Sequence, residues 1–301
     1  MSKRKVVVGL PVYNGQRYLA SAIESHLSQS FGDFDLVISD NGSTDATPEI
    51  CARYAKSDAR VRYLRSAENR GILWNHRRVL EAIESPGQYF RWAGADDNME
   101  AGLLQAMVDV LETRPEVEAV MPDTKNIDDD GKIVGSMARV LDLRSSDVFQ
   151  RARDILLANY QHVIAYGLMR ASTLRTMRTR PDYPGWDAVF AWELALRGQM
   201  AQPEGPALLR RFHPGSISRV KTVKEMRRWV EPNARTGMNF PHWTWAYERA
   251  RVLLACPLPA RERLRIGLFL ARATLWQRGP LMRDVVQTVK RTVGLSDEYT
   301  F

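Results

Sequence analysis

Between residues 5 and 121, short apolar runs alternate with longer stretches in which apolar residues recur every three to four positions. Brief apolar runs bounded by turn residues predict buried strands, and the three-to-four spacing predicts amphipathic helices. On this basis KVVVGL (5–10), FDLVISD (34–40), VRYLR (61–65), QYFRWA (88–93) and EVEAVM (116–121) are strands. RYLASAIESHLSQ (17–29), ATPEICARYAK (46–56), ILWNHRRVLEAIE (72–84) and residues 102–112 are the intervening helices. Pro48 falls in the first turn of its helix, where proline is tolerated. Four successive strand–helix units imply an α/β fold, a doubly wound and mostly parallel sheet with right-handed crossovers. Ligands of such sheets lie at the carboxyl ends of the strands.

Four strand ends are therefore candidate chemistry: PVYNG (11–15), DNGSTD (40–45), ENRG (68–71) and GADD (94–97). Together they supply an aromatic ring, Gly turns, amide and hydroxyl side chains, a guanidinium and carboxylates. That inventory suits a nucleoside diphosphate, with a face for the base, acceptors for its N–H groups and positive charge for phosphate. A dinucleotide dehydrogenase would need G-x-G-x-x-G after the first strand, where GLPVYNG stands. A sugar nucleotidyltransferase would need a Gly-rich loop with Arg or Lys there. NIDDDGKIV (126–134) matches a calcium loop at Asp128, Asp130 and Gly131. It places Met137 where a bidentate Glu is required, so a hairpin turn is expected instead.

Charge divides the chain. Residues 208–291 hold 18 Lys/Arg against 5 Asp/Glu, a balance of +13, whereas residues 1–207 balance at −3. A cationic surface of this kind suits an anionic partner. No nucleic-acid-binding motif accompanies the charge, so a nucleic-acid partner is not expected. No apolar run reaches the roughly 18 residues of a membrane span. The start MSKRKVVVGLPVYNG is closed by Pro11 and reads as a strand rather than a signal peptide. Cys51 and Cys256 form neither a metal-type spacing nor a disulfide framework, and a cytoplasmic location is expected.

The ordered segments VVVGLPVYNGQRYLASAIESHLSQSF, DLVISDNGSTDATPEI, ENRG and ADDN resemble the inverting glycosyltransferases of family 2, which have the GT-A fold. The resemblance covers roughly residues 5–218 and is not specific for one sugar. It implies that Pro11, Val12, Tyr13 and Asn14 line the base and ribose of a nucleoside-diphosphate sugar. Asp40 would accept a hydrogen bond from a uracil or thymine ring, within a loop that includes Asn41, Gly42 and Ser43. Arg70 and Gly71 would lie near base or phosphate. Ala95, Asp96 and Asp97 would handle ribose and a metal–diphosphate unit, with Mn²⁺ or Mg²⁺ as the ion and Asp96 as the favoured ligand. His213, in LLRRFHPGSIS (208–218), would add a nitrogen ligand or a diphosphate contact. The family often reads Asp-x-Asp-Asp here, and Gly94 takes the first place in this chain.

PGWDAVFAWELALRG (184–198) reads as a helix with Asp187 near its start. An Asp there is ordinarily a cap. By resemblance Asp187 is the general base, because the family shows an acid followed eleven residues later by Gly, as Asp187 and Gly198 are. Trp186 replaces a Glu and Glu193 a frequent Arg of the family pattern. The expected division is 1–221 for the GT-A domain, with a nucleotide-sugar half (1–121) and an acceptor half (122–221). Residues 222–301 are a basic helical extension. Its segments 229–259 and 260–293 read as amphipathic helices, the latter broken near Gly279–Pro280. These either pack on their own domain or attach peripherally to an anionic membrane, near a saccharide or lipid-linked saccharide acceptor. The expected activity is metal-dependent inverting glycosyl transfer in cell-envelope or surface-polysaccharide assembly. The alternatives are a catalytically inactive sugar-nucleotide-binding or scaffold relative and, more remotely, a nucleic-acid-binding protein.

Overall fold

The computed structural model describes residues 4–81, 88–136, 143–158, 164–216, 229–230 and 240–292. The first half alternates as the apolar rhythm predicts: β1 (Val6–Val12), α1 (Leu19–Leu27), β2 (Phe34–Asp40), α2 (Thr47–Ser57), β3 (Val61–Arg65), α3 (Ile72–Glu81) and β4 (Tyr89–Trp92). β1 runs two residues beyond the predicted strand because Pro11 and Val12 still pair with Ser39 and Asp40 of β2. There follow β5 (Asn98–Met99), α4 (Leu103–Thr113), β6 (Val117–Val120), β7 (Asp123–Ile127) and β8 (Ile133–Ser136). Then come α5 (Val148–Leu157), a 3₁₀ turn (Ile164–Tyr166), β9 (Leu168–Arg170), α6 (Ala171–Thr176), α7 (Trp186–Arg197), β10 (Gln199–Ala201) and β11 (Ala207–Arg211).

The main sheet has the order β10-β6-β9-β4-β1-β2-β3. β3, β2, β1 and β4 are mutually parallel, and β9 runs antiparallel between β4 and β6. The strand order reverses between β1 and β4, so the crevice where a doubly wound sheet receives its ligand opens there. A second sheet has the order β5-β11-β7-β8, with β7 and β8 forming the hairpin expected at 126–134.

Alternation along β1 sends Val6, Val8 and Leu10 to one apolar layer and Val7 to the other. β4 departs from this economy, because Arg91 is fully buried within it. Burial lowers the pKa of this guanidinium to about 10, and the nearby Asp97 carboxylate pulls the other way.

The chain closes with α8 (Pro241–Ala255), α9 (Ala260–Trp276) and α10 (Arg278–Thr292). Val252, Leu253 and Cys256 of α8, with Ile266 and Leu270 of α9, share one core with Val189 and Phe190 of α7. The C-terminal helices are thus packed on the sheet-bearing part, and the boundary expected near residue 221 lies outside the described residues. The break expected near Gly279–Pro280 falls at Gln277, and both residues sit in the first turn of α10. Proline costs nothing there, since a first-turn N–H has no helical partner to lose.

Candidate functional site

The loops after β1, β2 and β3 are bound to one another by side-chain amides. Asn14 adopts φ +50°, donates its N–H to Ser43 Oγ (2.9 Å) and accepts from Thr44 N at Oδ1 (2.9 Å). Asn41 donates to Asn69 Oδ1 and Gly71 O, and accepts from Arg70 N. Gly42, at φ +75°, lies so close to the next loop that a Cβ would meet the Glu68 carbonyl carbon at 2.5 Å. Only glycine supplies both that angle and that clearance.

Asp40 is buried in this assembly. Its Oδ1 accepts from Ser43 N (2.8 Å), its Oδ2 from the Tyr63 hydroxyl (2.9 Å), and Arg65 Nε stands 3.6 Å away. Of the residues expected to bind nucleotide, Asn41, Gly42, Ser43 and Gly71 thus form the frame. Tyr13, Asn14 and Arg70 are exposed, and Arg70 lies over the Trp74 ring at 4.7 Å.

After β4 the chain turns through Gly94 and Ala95 to the two carboxylates, which have different surroundings. Asp97 is buried, and its Oδ1 accepts from Arg211 N (2.9 Å). Burial and the adjacent Asp96 charge raise its pKa well above the carboxylate range, against the pull of the Arg211 N–H and the Arg210 and Arg211 charges. A Cβ at Gly94 would stand 2.6 Å from Asp97 Oδ2, so the glycine that departs from the family pattern leaves room for this inward carboxylate.

Asp96 faces outward. Its side chain is 37% exposed and its Oδ2 lies 3.0 Å from His213 Nε2. Gly215 N donates to His213 Nδ1 (3.2 Å), which puts the ring proton on Nε2 and makes His213 a donor to Asp96. Ligation of a cation through Nε2 would require the ring to give up the Gly215 bond, whereas donation to a phosphate oxygen would not.

Among the described residues no three His, Cys, Asp or Glu side chains converge as a ready-made metal cage. The single outward carboxylate of Asp96 nevertheless fits a Mg²⁺-type ion, which is commonly held by one or two carboxylates and substrate phosphates.

Tyr18 and Asp129, which the sequence patterns did not single out, complete this corner with Arg211, which the sequence offered as a phosphate contact or a solvent-facing group and the structure turns onto carbonyls. Tyr18 packs its ring 4.8 Å from that of His213 and donates to Asp129 Oδ1 (2.8 Å). Arg211 donates to the carbonyls of Asp96, Asp128 and Asp129, tying the carboxylate loop to the β7–β8 turn. Tyr18 sits at the start of a helical pattern and Asp129 in a turn, so neither carried a local signal of a site.

Asp187 lies in the first turn of α7. Trp186 sits edge-on to Trp92, Phe190 and His76, joining the start of α7 to the end of β4. Tyr166, in the 3₁₀ turn just before β9, is within electrostatic reach of both acidic groups. Burial raises its pKa first, and Asp97, Asp96 and Asp187 all add to the rise, so one hydroxyl feels all three carboxylates. Glu193 is buried on the same helix and accepts from Arg178 N, Thr179 N and Arg197, so it braces the preceding loop.

The turn before Asp187 is held from the tail. Trp245 Nε1 of α8 donates to Pro184 O (2.7 Å), and its ring fills the space beside Gly185, which adopts φ +75°. Trp245→Phe keeps most of the ring and loses this bond, leaving a carbonyl short of its partner. It is expected to cost about 1–2 kcal/mol in chemical denaturation and to lower turnover more than donor affinity.

The fold and this crevice define a GT-A transferase. Residues 7–170, just over half of the chain, match the family model for glycosyl transferase family 2, and the chain belongs to that family. It is 30% identical over 103 residues to the glycosyltransferase GlyA of Streptococcus pneumoniae, covering 34% of this chain and 14% of that protein. It is 28% identical over 131 residues to chondroitin synthase of Escherichia coli, covering 44% and 19%. The chain thus spans under a fifth of the length of these relatives. Among solved structures, Staphylococcus aureus TarS 1–349 with UDP-GlcNAc superposes with a TM-score of 0.66 at 13% identity, over 95% of this chain and 81% of that one. The mannosyltransferase PcManGT of Pyrobaculum calidifontis, with GDP-Man and Mn²⁺, gives 0.54 at 18%, over 96% and 88%. Both show the shared fold.

Proposed function

We propose that this glycosyltransferase moves a sugar from a UDP- or dTDP-linked donor to a hydroxyl of a saccharide or lipid-linked saccharide, inverting the anomeric carbon. Surface-polysaccharide assembly from the cytoplasmic side is the proposed setting, in keeping with the chondroitin synthase relative. The observation that carries the chemistry is the Trp186–Trp92 ring contact, which holds the start of α7, with Asp187, against the end of β4, from which Asp96 and Asp97 follow.

Asp187 takes the proton of the acceptor hydroxyl as its oxygen attacks C1 from the face opposite the diphosphate. The new C1–O bond forms as the old one breaks, and its electron pair leaves on the nucleoside diphosphate. A divalent ion, held by Asp96, would supply charge neutralisation for that leaving group. Arg210 adds fixed positive potential near these carboxylates, and the His213 Nε2–H, which here donates to Asp96, would turn to a phosphate oxygen when the ion takes that carboxylate. One carboxylate suffices as base, since the diphosphate leaves without needing a proton.

Pyrimidine preference is assigned to Asp40, whose remaining acceptor capacity would meet the base N3–H once Tyr63 yields its place. A fold relative holds GDP-Man, so the base is a matter for measurement. In a thermal-shift and calorimetric screen with Mn²⁺, UDP or dTDP is expected to stabilise the protein by about 2–3 kcal/mol at 100 times its Kd, and GDP or ADP by less. An equal or larger effect of GDP removes the pyrimidine assignment. The product anomer, read by NMR, tests inversion, and an inactive sugar-nucleotide binder would show the stabilisation with no transfer or hydrolysis.

A further inference from the structure

Each of the three C-terminal helices carries apolar residues on two faces, and the fold uses only one. On α9, Ile266, Leu270 and Ala273 are buried. On the opposite side Leu264, Leu268 and Leu275, spaced by four and seven residues, form one stripe and are each 65–68% exposed. α10 repeats the arrangement, with Leu281 buried and Met282, Val286 and Val289 outward. α8 does so with Tyr247 and Leu254, which are 61% and 71% exposed. Isolated exposed leucines need no explanation, but aligned stripes on consecutive helices mark an interface.

The flanks identify the partner. Residues 260–292 hold eight Lys/Arg and two acidic residues. Arg261, Arg272, Arg278 and Arg283 are exposed. Arg272 lies over the outward ring of Trp276, 4.8 Å from its centroid, an aromatic–cation pair suited to a headgroup boundary.

We propose that this face lies on an anionic lipid bilayer, with α9 and α10 in the plane of the interface. A second copy of the chain would bring like charges together, whereas anionic headgroups pair the arginines while the acyl boundary receives the leucines. The attachment is peripheral, because no helix among the described residues is long and apolar enough to cross a membrane. Through Trp245 the same helices hold the turn before Asp187, so a docked tail would present the proposed base to a lipid-linked acceptor. That last link rests on the function proposed above, and bilayer binding does not.

The test is co-sedimentation of the full chain with equimolar phosphatidylglycerol/phosphatidylcholine vesicles and with pure phosphatidylcholine vesicles. Partitioning is expected to be at least tenfold stronger on the anionic vesicles and to collapse in ~0.5 M salt through screening. Leu268→Glu with Leu275→Glu alters only exposed positions. It should keep the melting temperature and the UDP-induced shift while losing at least tenfold in vesicle binding. Arg261→Gln with Arg272→Gln and Arg278→Gln should weaken anionic-vesicle binding by up to about fivefold per arginine and leave phosphatidylcholine binding unchanged. No pelleting with anionic vesicles overturns the proposal, as does equal pelleting with neutral ones. So does a dimer in ultracentrifugation that the Leu268→Glu, Leu275→Glu variant disperses while vesicles bring down nothing. Vesicle binding by a chain that transfers no sugar would fail the enzymatic proposal and leave this one standing.

Discussion

Asp187→Asn is expected to bind donor normally and to turn over about 10²–10⁴-fold more slowly, the usual contribution of a positioned general base. The amide keeps the volume of the carboxylate and its acceptor oxygen for Ala188 N, so the start of α7 should stay formed. What it loses is the site for the acceptor's proton. The decisive comparison is between single-turnover transfer and UDP-sugar affinity on the same preparation. A loss confined to kcat with Kd unchanged locates Asp187 at the reacting hydroxyl. A matched loss of donor affinity would mean that the α7 turn had collapsed, and near-normal turnover removes the base role. Because Trp245 supports this turn from α8, its Phe variant should move kcat in the same direction by a smaller amount.

The elements around this crevice differed in how far the sequence disclosed them. β1, β2 and β3 are apolar runs bounded by turn chemistry, and their parallel order followed from the helices between them. β9 and β10 have three residues each. A run that short has no period, and its pairing is decided by the neighbours that accept it. The strand ends located the crevice, but side-chain partners across it were not legible. Asp40 shows this: its place after β2 was readable, whereas its bond to the Tyr63 hydroxyl depends on the β2–β3 register. The adjacent letters Asp96 and Asp97 look equivalent in sequence. Their opposite environments come from β11, which offers Arg211 N to one and, just beyond the strand, His213 to the other. Tyr166 and Trp245 carry no motif at all. They matter because β9 is inserted between β4 and β6, and because α8 folds back onto α7.

That asymmetry makes the metal assignment testable with two single variants rather than one double. Asp96→Asn weakens the outward ligand, and Mn²⁺-assisted UDP affinity is expected to fall at least about tenfold, ~1.4 kcal/mol. Asp97→Asn replaces a buried carboxylate whose burial already disfavours its charge, and its amide oxygen can still accept from Arg211 N. Metal-assisted affinity should change by less than about threefold, since a small free-energy difference corresponds to such a ratio. EDTA-treated wild-type protein should lose both transfer and the metal-dependent part of UDP binding, and regain them with Mn²⁺. Equal losses in the two variants would mean that Asp97 turns outward when a diphosphate arrives, with the space beside Gly94 vacated. Full transfer in EDTA would end the metal assignment and leave phosphate charge to Arg210 and the His213 donor.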